Sequence, residues 1–433
     1  MPETHAVSLG QSLPFWSIAP FALMLLGIAL IPLRWPHFWE SSANKGLVSA
    51  ILGVPVALYV VGHEPILLWH TALEYVSFIA LLGALFTISG GIVLRGDLRA
   101  TPAINTGFLA VGALLANLIG TTGASMLLIR PLLQTNSERK HVGHIPILFI
   151  FVVSNCSGLL TPLGDPPLFL GYLRGVPFFW TLRLLPEWSF AVAILLTVFY
   201  VLDRRAVARE TAADLRRDVT EQQPLQLAGT INALYLLGVV AAVLVSPSLP
   251  EGIVRDVVRL GVMAAMTGLS LATTPQELRR ENGFTFGPIT EVAVLFAGIF
   301  ATMIPALEIL RVRGAEFGIH APWQFFWLSG ALSSFLDNAP TYLTFVSLAQ
   351  SLGSGTDVAV HLAGGPVSAT LLTAVSAGSV LMGANSYIGN GPNFMVKAIA
   401  EEQGVKMPSY GGYMLWSGSI LIPIFVVMTF IFF

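Results

Sequence analysis

Apolar positions dominate the 433-residue chain in long runs that fall into two sets of matching rhythm. The first set covers about residues 15–33, 46–62, 72–94, 104–129, 143–173 and 188–202. The second covers about 229–246, 254–272, 289–310, 322–352, 365–400 and 411–433. Several runs approach the roughly 20 residues that carry a helix across a bilayer. Between the sets, residues 203–228 are rich in Arg, Asp, Glu and Gln and predict a solvated cytoplasmic linker. The pattern predicts an all-α polytopic membrane protein with one repeat over 1–202 and a second over 229–433. The start of the chain shows no basic, cleavable secretory signal, so the run from Phe15 is expected to stay as the first helix.

Two of the runs carry the same interruption. Residues 159–169 (LLTPLGDPPLF) and 384–394 (ANSYIGNGPNF) align without a gap at an offset of 225. Gly164 pairs with Gly389, Asp165 with Asn390, Pro167 with Pro392 and Phe169 with Phe394. Gly and Pro in the middle of an apolar run break a helix. In a membrane, such a break is tolerated only where the freed backbone is buried in protein or lines a cavity. A matched pair of interrupted spans points to the binding site of a secondary transporter. Broken helices are therefore predicted over about 143–173 and 365–400.

The fourth run of each set also has a polar centre: LIGTTGAS at 118–125 and FLDNAPTY at 335–342, which correspond at an offset of 217. These predict re-entrant hairpins over about 104–129 and 322–352. Each half then crosses five times, and an odd number of crossings inverts the second half relative to the first. Full spanning by both runs, with six crossings and a parallel repeat, is the alternative. With hairpins and a cytoplasmic linker, Arg174, Arg183, Arg255, Arg259, Arg311 and Arg313 face outward. The other sixteen of the 22 basic residues, Arg216 and Arg217 of the linker among them, face inward. That bias follows the positive-inside rule and places both termini outside.

Composition agrees with the pattern. The chain is 55% hydrophobic and 11% charged, with mean hydropathy +0.75, against roughly 25% charged in average soluble domains. A net charge of −2 weighs against nucleic-acid binding. The one cysteine, Cys156, excludes an intramolecular disulfide framework and is expected to pack as a small apolar residue.

Chemistry is expected where the breaks meet. Asp337 and Asn338 sit at the second hairpin's centre, followed by Thr341. A carboxylate deep in a bilayer costs roughly 2.5–3.5 kcal/mol on insertion scales and is a functional candidate by default. It could bind a cation with Asn and Thr oxygens, or exchange a proton; capping a helix half is the bland role and is compatible with both. Asp165 is its counterpart in the first half, against a turn role before Pro166 and Pro167. The first hairpin tip, Gly120-Thr121-Thr122-Gly123 with Ser125, has no acid. Further oxygens and flexible backbone come from Ser154, Asn155, Ser157, Thr161 and Gly164, and from Asn385, Ser386, Gly389, Asn390, Gly391 and Asn393. Neutral oxygens suit a hard cation such as Na⁺ rather than a transition metal. Glu291 is a candidate proton relay, with snorkelling or capping as the alternative.

Enzyme chemistry is not expected. Gly123-Ala124-Ser125-Met126 looks like an intramembrane protease nucleophile, but a serine nucleophile needs an adjacent base, and the histidines fall in termini, loops or span ends. No HExxH motif or phosphate-binding loop occurs.

The segments EVAVLFAGIF (291–300), LSSFLDNAPTY (332–342) and GANSYIGNGPNFMVKAIAEEQGVKMPSY (383–410) resemble bacterial sodium:proton antiporters of the ion transporter superfamily. That group includes NhaD-type antiporters, arsenite permeases, citrate transporters and divalent-anion sodium symporters. The resemblance spans nearly the whole chain. It implies two hairpins, two broken helices, a scaffold and a moving transport domain, a homodimer, and residence in the bacterial inner membrane. GNGPN is similar to a sodium-binding loop of the anion symporters, and Asp337-Asn338 to the hairpin tip of NhaD-type antiporters. The first hairpin departs from that pattern in lacking an acid, and Leu168 stands where related permeases often have Asn. The leading expectation is Na⁺/H⁺ antiport, with Na⁺ and H⁺ competing for Asp337, no cofactor, and the bilayer and a small ion or small molecule as partners. A citrate- or dicarboxylate-type anion symporter or an arsenite-type permease is the alternative, with Arg174 as the one basic residue near a break. An ion channel is a more distant reading.

Overall fold

The computed structural model describes residues 9–211, 223–250 and 252–433. Residues 212–222, which include Arg216 and Arg217 of the expected inner charge, lie outside the described residues. Nine helical segments among the described residues are long and apolar enough to cross a membrane, and two shorter apolar helices accompany them. The chain is a multi-pass membrane protein.

The first half runs through α1 (Ala19–Arg34), α2 (Ser42–His63), α3 (Pro65–Ser89), strand β1 (Val93–Asp97), α4 (Pro102–Gln134), α5 (His144–Val152), α6 (Pro166–Leu173) and α7 (Leu185–Val207). The second half runs through β2 (Gln223–Ala228), α8 (Ile231–Val245), α9 (Ile253–Thr273), α10 (Gly287–Arg313), α11 (Pro322–Phe335), α12 (Asn338–Leu352), strands β3 (Ala359–Leu362) and β4 (Gly365–Ser368), α13 (Ala369–Leu381), α14 (Gly391–Glu402) and α15 (Tyr410–Phe432). Two short strand pairs, β1 with β2 and β3 with β4, are antiparallel. The apolar pattern indicated neither. Residues 223–228, read as plain linker, form a strand against 93–97, and 365–368 belong to a β-turn pair rather than to the following helix.

Straight, the 33 residues of α4 would span about 50 Å. Instead Gly120, with φ 77° and ψ 156°, breaks the run. That backbone is open mainly to glycine. The two arms fold together, so Asn105 donates its amide to Asn136 Oδ1 at 2.9 Å across 31 residues. A Cβ on Gly112 would lie 2.7 Å from Val153 Cγ2 and 3.1 Å from Leu128 Cδ1 on the second arm, so the glycine packs tightly between that arm and the end of α5. In the second half, α11 and α12 turn at Leu336–Asp337, and the rings of Phe325 and Phe345 meet at 6.3 Å.

The two hairpins open at opposite ends of the broken helices. The base of α4 lies beside Asp203 near the end of α7, where His144 at the start of α5 is 3.0 Å from the Asp203 carboxylate. At the other end, Ala363 between β3 and β4 donates to the carbonyl of Arg174, which follows α6. α13 starts from β4, and α14 ends with Glu402 at 3.2 Å from Arg130 on the second arm of α4. The two broken runs therefore pass in opposite directions.

α5 and α13, the halves that enter the centre, are buried almost throughout. α2 and α9, by contrast, expose Ile51, Leu58, Ile253 and Val257, the composition of a lipid-facing surface. The base of the first hairpin is held by a buried charged cluster that sequence reading did not anticipate. Asp203 is fully buried and accepts from Arg139 at 2.7 Å and from Asn105 at 2.9 Å.

Candidate functional site

Each broken helix restarts at a proline-bearing first turn, where the missing N–H is no loss. Asp165 and Asn390 occupy the position before that turn, both with extended backbone (φ −146°, ψ 145° and φ −155°, ψ 142°). A residue there ordinarily caps its own helix with its side chain. Neither does so. Asn390 instead donates its amide to Asp165 Oδ1 at 3.1 Å and to the Ser154 carbonyl at 3.1 Å. The Asp165 carboxylate also accepts from the Thr121 hydroxyl at 3.0 Å and from the amide of Asn338. Both hairpin tips and both broken-helix loops thus converge on one carboxylate, which is 1% exposed.

The loops are built alike. In the first, the Thr161 hydroxyl donates to the Asn117 carbonyl at 2.5 Å and accepts from the Leu163 amide at 3.2 Å. In the second, the Ser386 hydroxyl donates to the Ser334 carbonyl and accepts from the Ile388 amide at 3.2 Å. Thr161/Ser386 and Leu163/Ile388 are related by 225, and Asn117/Ser334 by 217, the two offsets seen in the sequence. A glycine pair completes each loop. A Cβ on Gly164 would collide with the carbonyl oxygen of Gly158, and one on Gly389 would lie 2.5 Å from that of Gly383. The first tip is tied to its loop by the Thr121 amide, which donates to the Gly164 carbonyl at 2.9 Å. Sequence reading missed Asn117, Gly158, Ser334 and Gly383; extending the same offsets outward from the motif would have found them.

Other singled-out residues serve the frame. The hydroxyls of Ser125 and Ser154 share a hydrogen bond at 2.9 Å. Asn155 donates to Asn393 Oδ1 at 2.7 Å, and Asn393 donates to the carbonyls of Gly383 and Ser386. Asn385 donates to the Ser334 hydroxyl at 2.9 Å, and Ser157 to the Val153 carbonyl at 2.6 Å. Thr341 is buried and turns its hydroxyl onto the Asp337 carbonyl at 3.0 Å. Asp337 caps α12 by accepting from the Ala339 amide at 3.1 Å. Glu291 lies elsewhere, paired with Lys45 at 2.5 Å.

A cavity of about 140 Å³ opens at this junction, lined by Gly120, Thr121, Thr122 and Gly123, by Gly164, Asp165 and Pro166, and by Asp337, Asn390 and Gly391. Its remaining walls are apolar, including Phe78, Leu81, Leu85 and Phe296, and its lining among the described residues contains no Lys, Arg or His. Two carboxylates in such a space repel unless a cation or proton is present. Asn338, whose amide donates to Asp165, keeps its Oδ1 buried with no hydrogen-bond partner, a costly state for a neutral oxygen. The oxygens that line the cavity, from Asp165, Asp337, Thr121, Thr122 and Asn390, are hard donors of the kind that suit a hard cation.

A second cavity, about 880 Å³, lies toward the Arg174 end and is lined by Arg174, Arg255, Arg259 and Arg311, with Glu74, Asp256 and Glu308 among them. Arg174 is bound to Glu74 at 3.0 Å, and Arg259 to Asp256 at 2.7 Å. Phe78 stacks on Phe296 at 4.9 Å in the wall of the smaller cavity, while the neighbouring Ser77 lines the larger one.

The family model for "Putative citrate transport" matches residues 10–433. The chain belongs to this family. No curated protein matches it. Family membership and the run of membrane helices make the protein a secondary membrane transporter of the citrate-transporter type. Among the groups the sequence resembles, the match does not single out the NhaD-type antiporters.

Proposed function

We propose that the protein is a cation-coupled secondary carrier in which Na⁺ or H⁺ binds between Asp165 and Asp337. The observation that carries this reading is the single 140 Å³ cavity lined by both carboxylates and by no basic side chain. One Na⁺ or H⁺ reduces the charge of the pair from −2 to −1, and a second cation or proton completes the neutralisation; departure restores the repulsion. Coupling follows because only the neutralised site can cross an apolar barrier cheaply. The two broken helices, running in opposite directions with hairpins entering from opposite ends, support an inverted repeat that alternates access to this site.

A carboxylate of the citrate class is the cargo the family membership favours. The aspartate cavity is small beside the roughly 300–1,000 Å³ of ordinary small-molecule pockets. The arginine-lined cavity of about 880 Å³ has the room for such an anion, and its guanidinium groups, balanced by Glu64, Glu74, Asp256 and Glu308, would have to leave those acids to bind it. Na⁺/H⁺ antiport without an organic cargo is the second reading, favoured by the wholly anionic and neutral character of the aspartate cavity.

Reconstituted protein decides between them. Proteoliposomes with an imposed Na⁺ or H⁺ gradient are expected to accumulate labelled citrate, and uptake should collapse when the gradient is dissipated. Dissipation of ΔpH by Na⁺ alone, with no citrate or succinate uptake, would establish antiport instead. Gradient-independent, non-saturating flux would exclude a carrier of either kind.

A further inference from the structure

A separate pocket of about 520 Å³ lies at the linker end of the molecule, away from both aspartates. Its rim carries Arg205 from the last turn of α7 and Arg209 just beyond it, Lys406 from the loop before α15, and His141 from the loop before α5. Its floor is apolar, with Ile147, Leu202, Met407 and Trp416. No Asp or Glu lines it among the described residues.

The nearby acids among the described residues are already engaged. Asp203 is taken by Arg139 and His144, and Glu210 by the backbone amides of Lys140 and His141. Glu401 pairs with Lys397, and Glu402 with Arg130. Arg205, Arg209 and Lys406 are exposed and form no ion pair with any described residue. Basic residues at a helix C-terminus offset its dipole, which accounts for Arg205. It does not account for Lys406 or His141, which come from two other segments to the same rim.

Position adds a second constraint. α7 and α15 are both span-length, and the rim sits where each meets water. Trp416 lies in the second turn of span-length α15, and indole rings are enriched near the ends of membrane spans. A cationic rim above an apolar floor, at the end of two spans, matches a phosphate carried on an acyl chain. Basic pockets between helices on the cytoplasmic face of a membrane, where the bias of basic residues is expected to put the linker, take acidic headgroups.

We infer that this pocket is a phosphate-binding site, filled from the membrane by an acidic phospholipid. The rim cations hold the phosphate, and the acyl chains lie over Leu202 and Trp416.

The test is native mass spectrometry of the full chain released from nanodiscs of equal phosphatidylglycerol and phosphatidylcholine, beside calorimetric titration with inorganic phosphate in phosphatidylcholine alone. The wild type should retain phosphatidylglycerol preferentially. Arg205→Ala/Lys406→Ala should reduce that retention by about tenfold or more, while Arg34→Ala/Arg99→Ala, with the same charge loss, should not. Thermal unfolding of both variants checks that each is folded. Saturable binding of inorganic phosphate, lost in Arg205→Ala/Lys406→Ala, with no lipid preference would keep the phosphate site and assign it to a soluble ligand. Equal retention of the two lipids without phosphate binding, or equal loss in both variants, would overturn the proposal.

Discussion

Asn390 donates its side-chain amide to the carboxylate of Asp165 at 3.1 Å, and the two residues hold the same position in the two copies of one motif, 225 residues apart. Each begins a helix that it does not cap; the side chains are spent on one another across the centre. A carboxylate and an amide at equivalent places make the site chemically lopsided although the backbone around it is matched. Exchanging the two side chains tests this. Asp165→Asn is expected to lower coupled uptake by at least about tenfold, or ~1.4 kcal/mol in the barrier. Asp165→Asn with Asn390→Asp should recover a measurable part, because the charge returns within hydrogen-bond reach of its original place. A double variant as inactive as the single one would show that the position of the charge, and not its presence, is essential.

Asp337 combines a cavity-lining carboxylate with a helix cap. Asn caps about as well as Asp, and replacing a cap by Ala costs ~1 kcal/mol. Asp337→Asn should therefore melt near the wild type while losing cation-dependent uptake; Asp337→Ala should lose both. The pair of melting curves and uptake rates separates the two roles.

The matched glycines predict matched defects. Gly164→Ala and Gly389→Ala each drive a methyl group into a backbone carbonyl, of Gly158 and Gly383. Overpacking of this kind costs about 1–3 kcal/mol. Both variants should show reduced melting temperatures of similar size, read by the fluorescence of the purified protein.

Arg139 and Asp203 are buried partners at the base of the first hairpin, with side chains 1% and 0% exposed. Removing one member of a buried pair costs about 3–5 kcal/mol because the other charge stays behind. Arg139→Ala is expected to destabilise strongly, and Asp203→Asn less, since Asn still offers an acceptor to Arg139. Thermal unfolding of the two variants measures the difference.

Asp357 links the β3–β4 pair to α13. The Ser368 hydroxyl at 2.5 Å and the Thr370 amide at 2.9 Å hold its carboxyl at about 2, below the ordinary 3.8. A depressed value means that the ionised form is favoured by folding. Its contribution is complete above about pH 4 and fades as pH falls toward 2. Asp357→Asn should flatten that part of the stability profile, measured by melting between pH 2 and 6, and leave the neutral-pH transport rate little changed.

Much of this arrangement was legible in the chain. Spans, polar hairpin centres and broken helices could be read because a bilayer forbids unpaired backbone, so every interruption stands out against an apolar run. Asp165, Asn338 and Asn390 stood out for the same reason, and in the structure both amides donate to the Asp165 carboxylate. The short strands were not, because four to six residues of mixed polarity carry no distinctive period. Asp203 was hidden at the start of what reads as a solvated linker, whereas α7 continues to Val207 and buries it. Only its fold neighbours, Arg139, His144 and Asn105, arriving from distant segments, show that it is buried. Thr341 and Glu291 show the converse. Their residue types suit ion chemistry, but the turn of α12 and the nearness of Lys45 direct them elsewhere.

By itself the sequence determined which runs are long and apolar enough to cross, where two of them are interrupted, and that the two interruptions are copies, since hydrophobic length and helix-breaking residues act locally. Tertiary structure alone decided that Asn390 faces Asp165, that Asp337 shares their cavity, and that no basic group joins them there. Those are relations between residues up to 225 positions apart, and a hydrogen bond reaching 3 Å is settled by packing, which local propensity does not encode.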